Sequence, residues 1–483
     1  MKIINRLKYI GLAMLTLFVS ACEDGFDEIN TDPNSPISVP ASTLVTNGIF
    51  NVTYTYWDRD LNSEFGELMV QHMAQNEYTE EQRYSFAQSD FNFRWGNLFS
   101  GQNVAAPRGG LYDLAAARLI VEENESLSDA VKANQLAVID IYMAFAFQFI
   151  TDLWGDIPYS QAFQAGEYAF PAYDSQADIY SSLIASVTNA VGTIDASEEG
   201  FESGDILFEG DMASWQAFGN AMLIRLGMRV GNGTAVAAGF SGPLPTSDVM
   251  LVFGANQDVA NPFYQDKVIS VRDDFRISAE LVAAMNLQAD PRLAKYAMPA
   301  PGTDEIVGMP YGLADGPAFT LKNSTSDIHT DIEDVATAPA YLFTMAELEF
   351  FRAEALIRDY ISTGDDAVAF AAAIDHSLAQ WGVTSPGFGA SIAYGSSDTE
   401  KLQAIALQKW IALYTNGVEA YAEWRRLDYP VLEPSANMAP GVTGIPTRML
   451  YPSTEDGTNG ENLAAANGGS PNALDTRVFW DAN

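Results

Sequence analysis

The sequence predicts an all-α fold. Segments whose apolar residues recur at helical spacing follow one another along the chain, with few clear strand signals between them. One of these segments is apolar nearly all round, as a helix at the centre of a large core must be. A single cysteine occurs in 483 residues, so no disulfide framework is available and a core must supply the stability. With 48% apolar and 18% charged residues, the composition is that of a globular chain long enough for one or two domains.

In order, the helical candidates are residues 112–125, 136–150, 175–194, 212–230, 340–359, 365–380 and 398–426. In the second, Leu136, Ile139, Met143, Ala146 and Ile150 form one stripe, while Ile141, Tyr142, Phe145 and Phe149 fill the other sides. It holds Asp140 and Gln148 and ends at Thr151-Asp152, too short and too polar to cross the roughly 30 Å hydrocarbon layer of a bilayer. Helices in sequential pairs permit a tetratricopeptide-like right-handed stack, in which each pair buries its face against its neighbours. Residues 341–359 come closest to that pattern, with Ala346, Phe350, Ala353, Ala355 and Leu356 as packing residues, although the consensus spacing is not cleanly met. From about 236 to 339 the chain is rich in Pro and Gly and reads as a loop-rich insertion.

The start of the chain differs in character. Lys2, Arg6 and Lys8 precede an apolar run over residues 9–19, and Val19-Ser20-Ala21 lead into Cys22. This is the pattern of a lipoprotein signal peptide over 1–21, cleaved before Cys22, whose thiol is then acylated. Residues 22–40 are acidic and prolyl without helical or strand period, and read as a flexible tether. Residues 41–483 remain as a single helical domain.

Asp plus Glu number 63 against 25 Lys plus Arg, a net charge of −38. Loss of the three leader bases leaves 22 against 63, or −41. Such a surface repels nucleic-acid phosphates and anionic lipid headgroups and suits a neutral or cationic ligand. Solubility by itself accounts for the overall figure.

No motif of catalysis or cofactor binding stands out. His72, His329 and His376 make no HExxH, no cysteine pair completes a zinc site, and neither a GxSxG elbow nor a Walker-type loop occurs. No catalytic residue, metal ligand or cofactor is therefore assigned. With 63 acids available, any chosen carboxylate pair for glycoside hydrolysis is uninformative. Residues 30–34 and 456–461 offer oxygen ligands in loops, yet miss the EF-hand spacing and read as solvated turns.

Several segments carry a resemblance. They are Phe26-Asp27-Glu28-Ile29-Asn30-Thr31-Asp32-Pro33 just after the cysteine, Leu153-Trp154-Gly155-Asp156-Ile157-Pro158-Tyr159, Tyr414-Thr415-Asn416-Gly417-Val418-Glu419-Ala420, Pro446-Thr447-Arg448-Met449-Leu450-Tyr451-Pro452, and the closing Thr476-Arg477-Val478-Phe479-Trp480-Asp481. In that order, after an acylated cysteine, they resemble the SusD/RagB family of nutrient-binding outer-membrane lipoproteins of Bacteroidota, in particular its SusD-like branch. The resemblance implies a tetratricopeptide-like scaffold of helical pairs whose long irregular loops form the ligand face. It further implies a lipid-anchored, non-catalytic protein on the outer membrane, facing the cell exterior. Its task would be to bind an oligosaccharide or related nutrient and pass it to a SusC-like TonB-dependent transporter. A RagB-like peptide binder is the alternative, and a cationic peptide would suit the charge. A surface glycoside hydrolase and a helical-repeat adaptor are further alternatives.

A binder of neutral sugars needs flat aromatic faces for the apolar side of a pyranose, with amides or carboxylates for its hydroxyls. Trp215, Trp410 and Trp424 sit in helical periods, and Trp154 and Trp480 lie in the resembling segments, so core packing accounts for these five. Trp57, Trp95 and Trp381 remain. Phe91-Asn92-Phe93-Arg94-Trp95 alternates aromatic with polar residues as an extended segment does, with Gln88, Asn97, Gln102 and Asn103 nearby. Tyr54, Tyr56, Trp57, Asp58 and Arg59 make a second mixed cluster, and Tyr78 and Tyr84 lie between the two. Tyr264, Tyr296, Tyr311, Phe319 and His329 make a third group in the loop-rich insertion. Taken singly, packing of loops onto helices explains each ring better than ligand contact. As a group, Trp57, Tyr78, Tyr84, Trp95, Asn97, Tyr264, Tyr311 and Phe319 are the candidate ligand residues.

Overall fold

Twelve α-helices of eight residues or more run through the residues that the computed structural model describes, 39–99 and 110–481. They are α1 (Ala41–Trp57), α2 (Asn92–Phe99), α3 (Leu111–Glu123), α4 (Asp129–Trp154), α5 (Gln176–Thr193), α6 (Met212–Val230), α7 (Gly233–Ser241), α8 (Ala279–Leu287), α9 (Met345–Ile357), α10 (Asp366–Gln380), α11 (Asp398–Ala412) and α12 (Gly417–Leu427). Strands among the described residues are short and form three antiparallel pairs. These are β1 (Met73–Gln75) with β5 (Phe275–Ile277), β2 (Ile157–Pro158) with β3 (Tyr173–Asp174), and β4 (Val249–Val252) with β6 (Pro339–Phe343). The fold is therefore helical, as the periodicity predicts. The expected signal peptide over 1–21, Cys22, the tether to residue 38, Gln102 and Asn103 lie outside the described residues.

The helices begin where short polar side chains satisfy their free amides. Ser128, Ser175, Asp211, Thr344, Asp365 and Ser397 each accept from a backbone N–H in the first turn of α4, α5, α6, α9, α10 and α11. Helix α4 ends at Gly155, whose φ of +92° suits glycine. By length and hydropathy α4 is apolar enough to cross a membrane, yet 83% of its most apolar window is buried inside the protein, so it is the central core helix. Successive helices pack on one another, α4 on α5, α5 on α6, α6 on α7, α9 on α10 and α11 on α12. This is the helical-pair stack. A satellite core of Phe350, Phe370, Ile374 and Ile405 joins α9, α10 and α11.

A buried ion network ties the stack together. Arg225 on α6 pairs with both oxygens of Glu347 on α9 at 2.7 Å. Arg229 meets Asp152 on α4 and Glu419 on α12, and its Nε lies 3.3 Å from Glu423. Lys409 on α11 sits 2.7 Å from Glu423, and Arg426 joins Glu423 to Glu354 on α9. Burial alone would raise the Glu423 carboxyl, but Arg426, Lys409 and Arg229 hold it well below the usual range.

Local structure departs from the sequence expectation in several places. Residues 340–359 are not one helix, because β6 occupies Pro339–Phe343 and pairs with β4, a partner distant in sequence that no local period reveals. Residues 398–426 divide into α11 and α12 at 413–416, where Thr415 takes φ +75°. The break lets Gly417 approach Gly66 so closely that a Cβ on Gly66 would lie 2.3 Å from the Gly417 carbonyl carbon. Residues 91–95 are not extended. They end a 3₁₀ turn and open α2, with Phe91, Arg94, Trp95 and Leu98 buried. Residues 456–461 fall in two short helices, Ser453–Thr458 and Gly460–Ala466, rather than a turn. Helix α1 carries no clear helical period, because Thr43, Thr46, Thr53 and Thr55 weaken its helical signal.

Candidate functional site

Five distant segments meet around one aromatic hollow of about 170 Å³. Trp57 comes from the end of α1, Phe263 from a turn after Asn261, Tyr341 from β6, Trp381 and Gln380 from the end of α10, and Thr415 from the α11–α12 junction. The frame is fixed by buried hydrogen bonds. Tyr56 donates to Asn416 Oδ1 at 2.6 Å, and Asn416 Nδ2 donates to the Tyr341 carbonyl at 3.1 Å. Asn261 accepts from the Phe263 amide at 2.8 Å and donates to the Ala338 carbonyl at 3.0 Å, which seats the turn on the approach to β6.

Two groups of rings bound the hollow. Trp57 and Tyr341 have centroids 6.3 Å apart at 59°. Trp381 lies 4.8 Å from Tyr296, which stacks on Tyr414 at 4.4 Å. Tyr296 and Tyr414 are buried and so back the Trp381 ring rigidly. Lys295 and Asp331 pair at 2.9 Å and supply a polar edge. Burial first, and then Asp248, push the Tyr341 hydroxyl up to about 12, with a hydrogen bond to Gln380 opposing, so it stays protonated at neutral pH.

The indole nitrogens fall into two groups by their partners. Indole nitrogens of Trp154, Trp215, Trp410, Trp424 and Trp480 donate to the Leu450 carbonyl, Asp205, the Val70 carbonyl, the Pro430 carbonyl and Asp152. Those of Trp57 and Trp381 are buried without a partner, and so is Oε1 of Gln380. Each such atom costs about 1–3 kcal/mol. All three have almost no accessible surface, so they lie behind the walls of the hollow.

A second hollow, of about 180 Å³, lies across the Asn261–Phe263 turn. It is lined by Tyr54, Asp58, Arg59, Phe93, Asn97 and Asp266 among others, so it joins the two aromatic clusters that the sequence sets apart. Its character is ionic. Arg59 reaches Glu64 at 2.6 Å, Asp266 at 3.2 Å and Asp274 at 2.7 Å. Burial, followed by the nearby Asp60 charge, holds the Asp58 carboxyl well above its usual range.

The candidate ligand residues are scattered by the fold. Trp57 is only 2% exposed but lines the aromatic hollow, and Asn97 lines the ionic one. Trp95 is a packing residue, with Phe99 4.5 Å, Trp154 5.4 Å and Tyr173 6.3 Å away occupying its faces. Tyr84 is buried with its hydroxyl accepting from the Ser435 amide, and Tyr311 lies beside it. Tyr264 sits on the turn between the hollows and lines neither. Tyr78 and Phe319 are each 60% exposed and stand apart from both, Tyr78 beneath the Arg272 guanidinium at 5.2 Å. Tyr341, Phe263 and Gln380 carry no sequence signal, whereas Trp381 does, as one of three tryptophans without a core role. Among the described residues no group of three or more His, Cys, Asp or Glu is placed to hold a metal ion.

A family profile described as SusD-like, starch-binding associating with outer membrane, matches residues 33–452. Among solved structures, a chitin-binding protein superposes with a TM-score of 0.78 at 23% identity, covering 92% of this chain and 100% of that one. A SusD homolog from Bacteroides uniformis gives 0.79 at 22%, covering 92% and 99%. A chitin-binding SusD homolog from Flavobacterium johnsoniae gives 0.77 at 23%, covering 92% and 98%. These likenesses establish the fold. No curated protein matches the chain.

Proposed function

The chain belongs to the SusD-like family, and from that premise we propose that it is a surface glycan-binding protein whose ligand enters the hollow between Trp57, Tyr341 and Trp381. The observation that carries this reading is the convergence of Trp57, Phe263, Tyr341 and Trp381 on one hollow. Aromatic faces cover the apolar side of a pyranose, and the Lys295–Asp331 pair lining the hollow supplies polar groups for its hydroxyls. The family's printed association with starch, and the chitin-binding names of two structural relatives, support a glycan as ligand class.

In this reading the protein captures and does not cut. The hollow is smaller than the roughly 300–1,000 Å³ of a typical small-molecule site, so it grips one sugar unit while the rest of the chain lies outside. Modest affinity then allows release, because a tightly held ligand leaves slowly. Residues 1–21 are read as a signal peptide, Cys22 as the lipid anchor, and 22–40 as the tether that lets the body work at the outer face of the outer membrane. The recipient is a SusC-like TonB-dependent transporter.

Tryptophan fluorescence tests the reading on the purified mature protein titrated with a panel of soluble plant, algal, fungal and arthropod glycans. A saturable response to at least one glycan is expected. Silence across the panel, together with a response to peptides, would replace it with peptide uptake.

A further inference from the structure

We infer that the protein has a second ligand site, a groove of about 450 Å³ between α3, α4 and α5 that takes a small saccharide by its neighbouring hydroxyls. This goes beyond the function proposed above, because the groove shares no lining residue with the aromatic or the ionic hollow. Its volume lies within the roughly 300–1,000 Å³ of a small-molecule site, which neither hollow reaches.

The floor comes from α4, where Met143 and Phe147 flank Asp140, the one acid between Asp129 and Asp152 on that helix. Helix α3 brings Arg118, which pairs with Asp140 and, through Nε at 2.9 Å, with Glu122. The turn 159–164 makes the far wall. Asp174 fixes its start by accepting from the Tyr159 amide at 3.1 Å and from the amide and hydroxyl of Ser160, both at 2.8 Å. Two rings project from this turn. Tyr159 stands edge-on to Phe147 with centroids 4.8 Å apart, and Phe163 takes φ +62°, a left-handed backbone that a bulky side chain rarely adopts. Strained residues of this kind cluster at sites that hold a ligand.

The polar groups decide the ligand class. Side chains of Arg118, Asp140 and Glu122 are 36%, 17% and 41% exposed, so a ligand can reach all three. Asp140 Oδ2 and the Tyr159 hydroxyl take no hydrogen bond among the described residues. A guanidinium only donates and a carboxylate only accepts. A ligand that meets both side by side therefore needs groups that do either, as a hydroxyl does. An ammonium only donates, and an ionised carboxylate or phosphate only accepts. Burial, then Asp140 and Asp174, push the Tyr159 hydroxyl above its ordinary value, so it keeps its proton at neutral pH and adds a donor. Phe147, Tyr159 and Phe163 supply the apolar surface that the C–H face of a pyranose covers.

Calorimetric titration of the mature protein with maltotriose, cellotriose, mannotriose and xylotriose tests the inference. At least one should bind with a component that Asp140→Asn weakens about tenfold and Tyr159→Phe several-fold. Circular dichroism confirms the fold of each variant, and Tyr159→Phe, which removes only the hydroxyl, carries the test alone if Asp140→Asn does not fold. Affinities unchanged in both variants would overturn the inference, and so would the absence of binding by all four sugars. A lysine tripeptide that binds in their place, and is lost in Asp140→Asn, would overturn it and assign the groove to a cationic ligand. Failure here is distinct from failure of the aromatic hollow, since no tryptophan lines the groove and the fluorescence titration reads the hollow through Trp57 and Trp381.

Discussion

The Tyr56 hydroxyl donates a hydrogen bond to Asn416 Oδ1 at 2.6 Å, and through Asn416 the end of α1 is fastened to β6. Trp57, the residue after Tyr56, and Tyr341 itself are thereby set at their 6.3 Å separation. Asn416 is not among the residues lining the hollow. Asn416→Ala should therefore lower stability by about 1–3 kcal/mol and weaken glycan binding without removing a ligand contact. Thermal unfolding and titration check the two effects, and unchanged affinity would deny Asn416 its positioning role.

Ring identity should matter more than ring number. Trp381→Ala removes a wall of the hollow and should weaken glycan binding about tenfold or more. Trp95→Ala empties a site enclosed by Phe99, Trp154 and Tyr173, and should cost about 3–5 kcal/mol of stability while the folded fraction binds as before. Measuring affinity and chemical denaturation for both variants separates the roles.

The contact between Gly66 and Gly417 leaves no space for a side chain. Gly66→Ala should destabilise the fold by about 1–3 kcal/mol, because both facing groups are backbone and neither can swing aside. A midpoint of urea unfolding equal to that of the parent chain would contradict the packing described.

Stability should fall as pH rises from about 4.5 to about 8. Burial pushes the Glu333 carboxyl up to about 8, with Lys267 opposing, and pushes Glu419 up to about 7 against Arg229 and Arg225. An acid with a raised folded value binds its proton more tightly when native, so its contribution favours the fold at the acid end and is lost as pH climbs through the folded value. Glu333→Gln should flatten the slope between pH 5 and 8, by on the order of a few kcal/mol at the alkaline end. Melting temperatures across that range, for parent and variant, give the comparison.

Much of the fold was legible because long amphipathic or wholly apolar helices repeat a local pattern. The 212–230 period coincides with α6, and the stripe around Leu136 lies within α4. What escaped depends on partners far along the chain. Strand β6 exists through its pairing with β4, and the break at Thr415 through the approach of Gly417 to Gly66. The site was less legible for the same reason. Trp57 could be picked out by its polar neighbours, but Tyr341, Phe263 and Gln380 become a wall only when α1, β6 and α10 converge. Trp95 lies in an alternating stretch that reads as extended, whereas its helix turns the ring inward.

A crystal structure of the mature protein with a bound glycan from the responding panel tests the central claim most directly. It should show a sugar unit against Trp57, Tyr341 and Trp381. A glycan bound elsewhere, with this hollow unchanged, would contradict it.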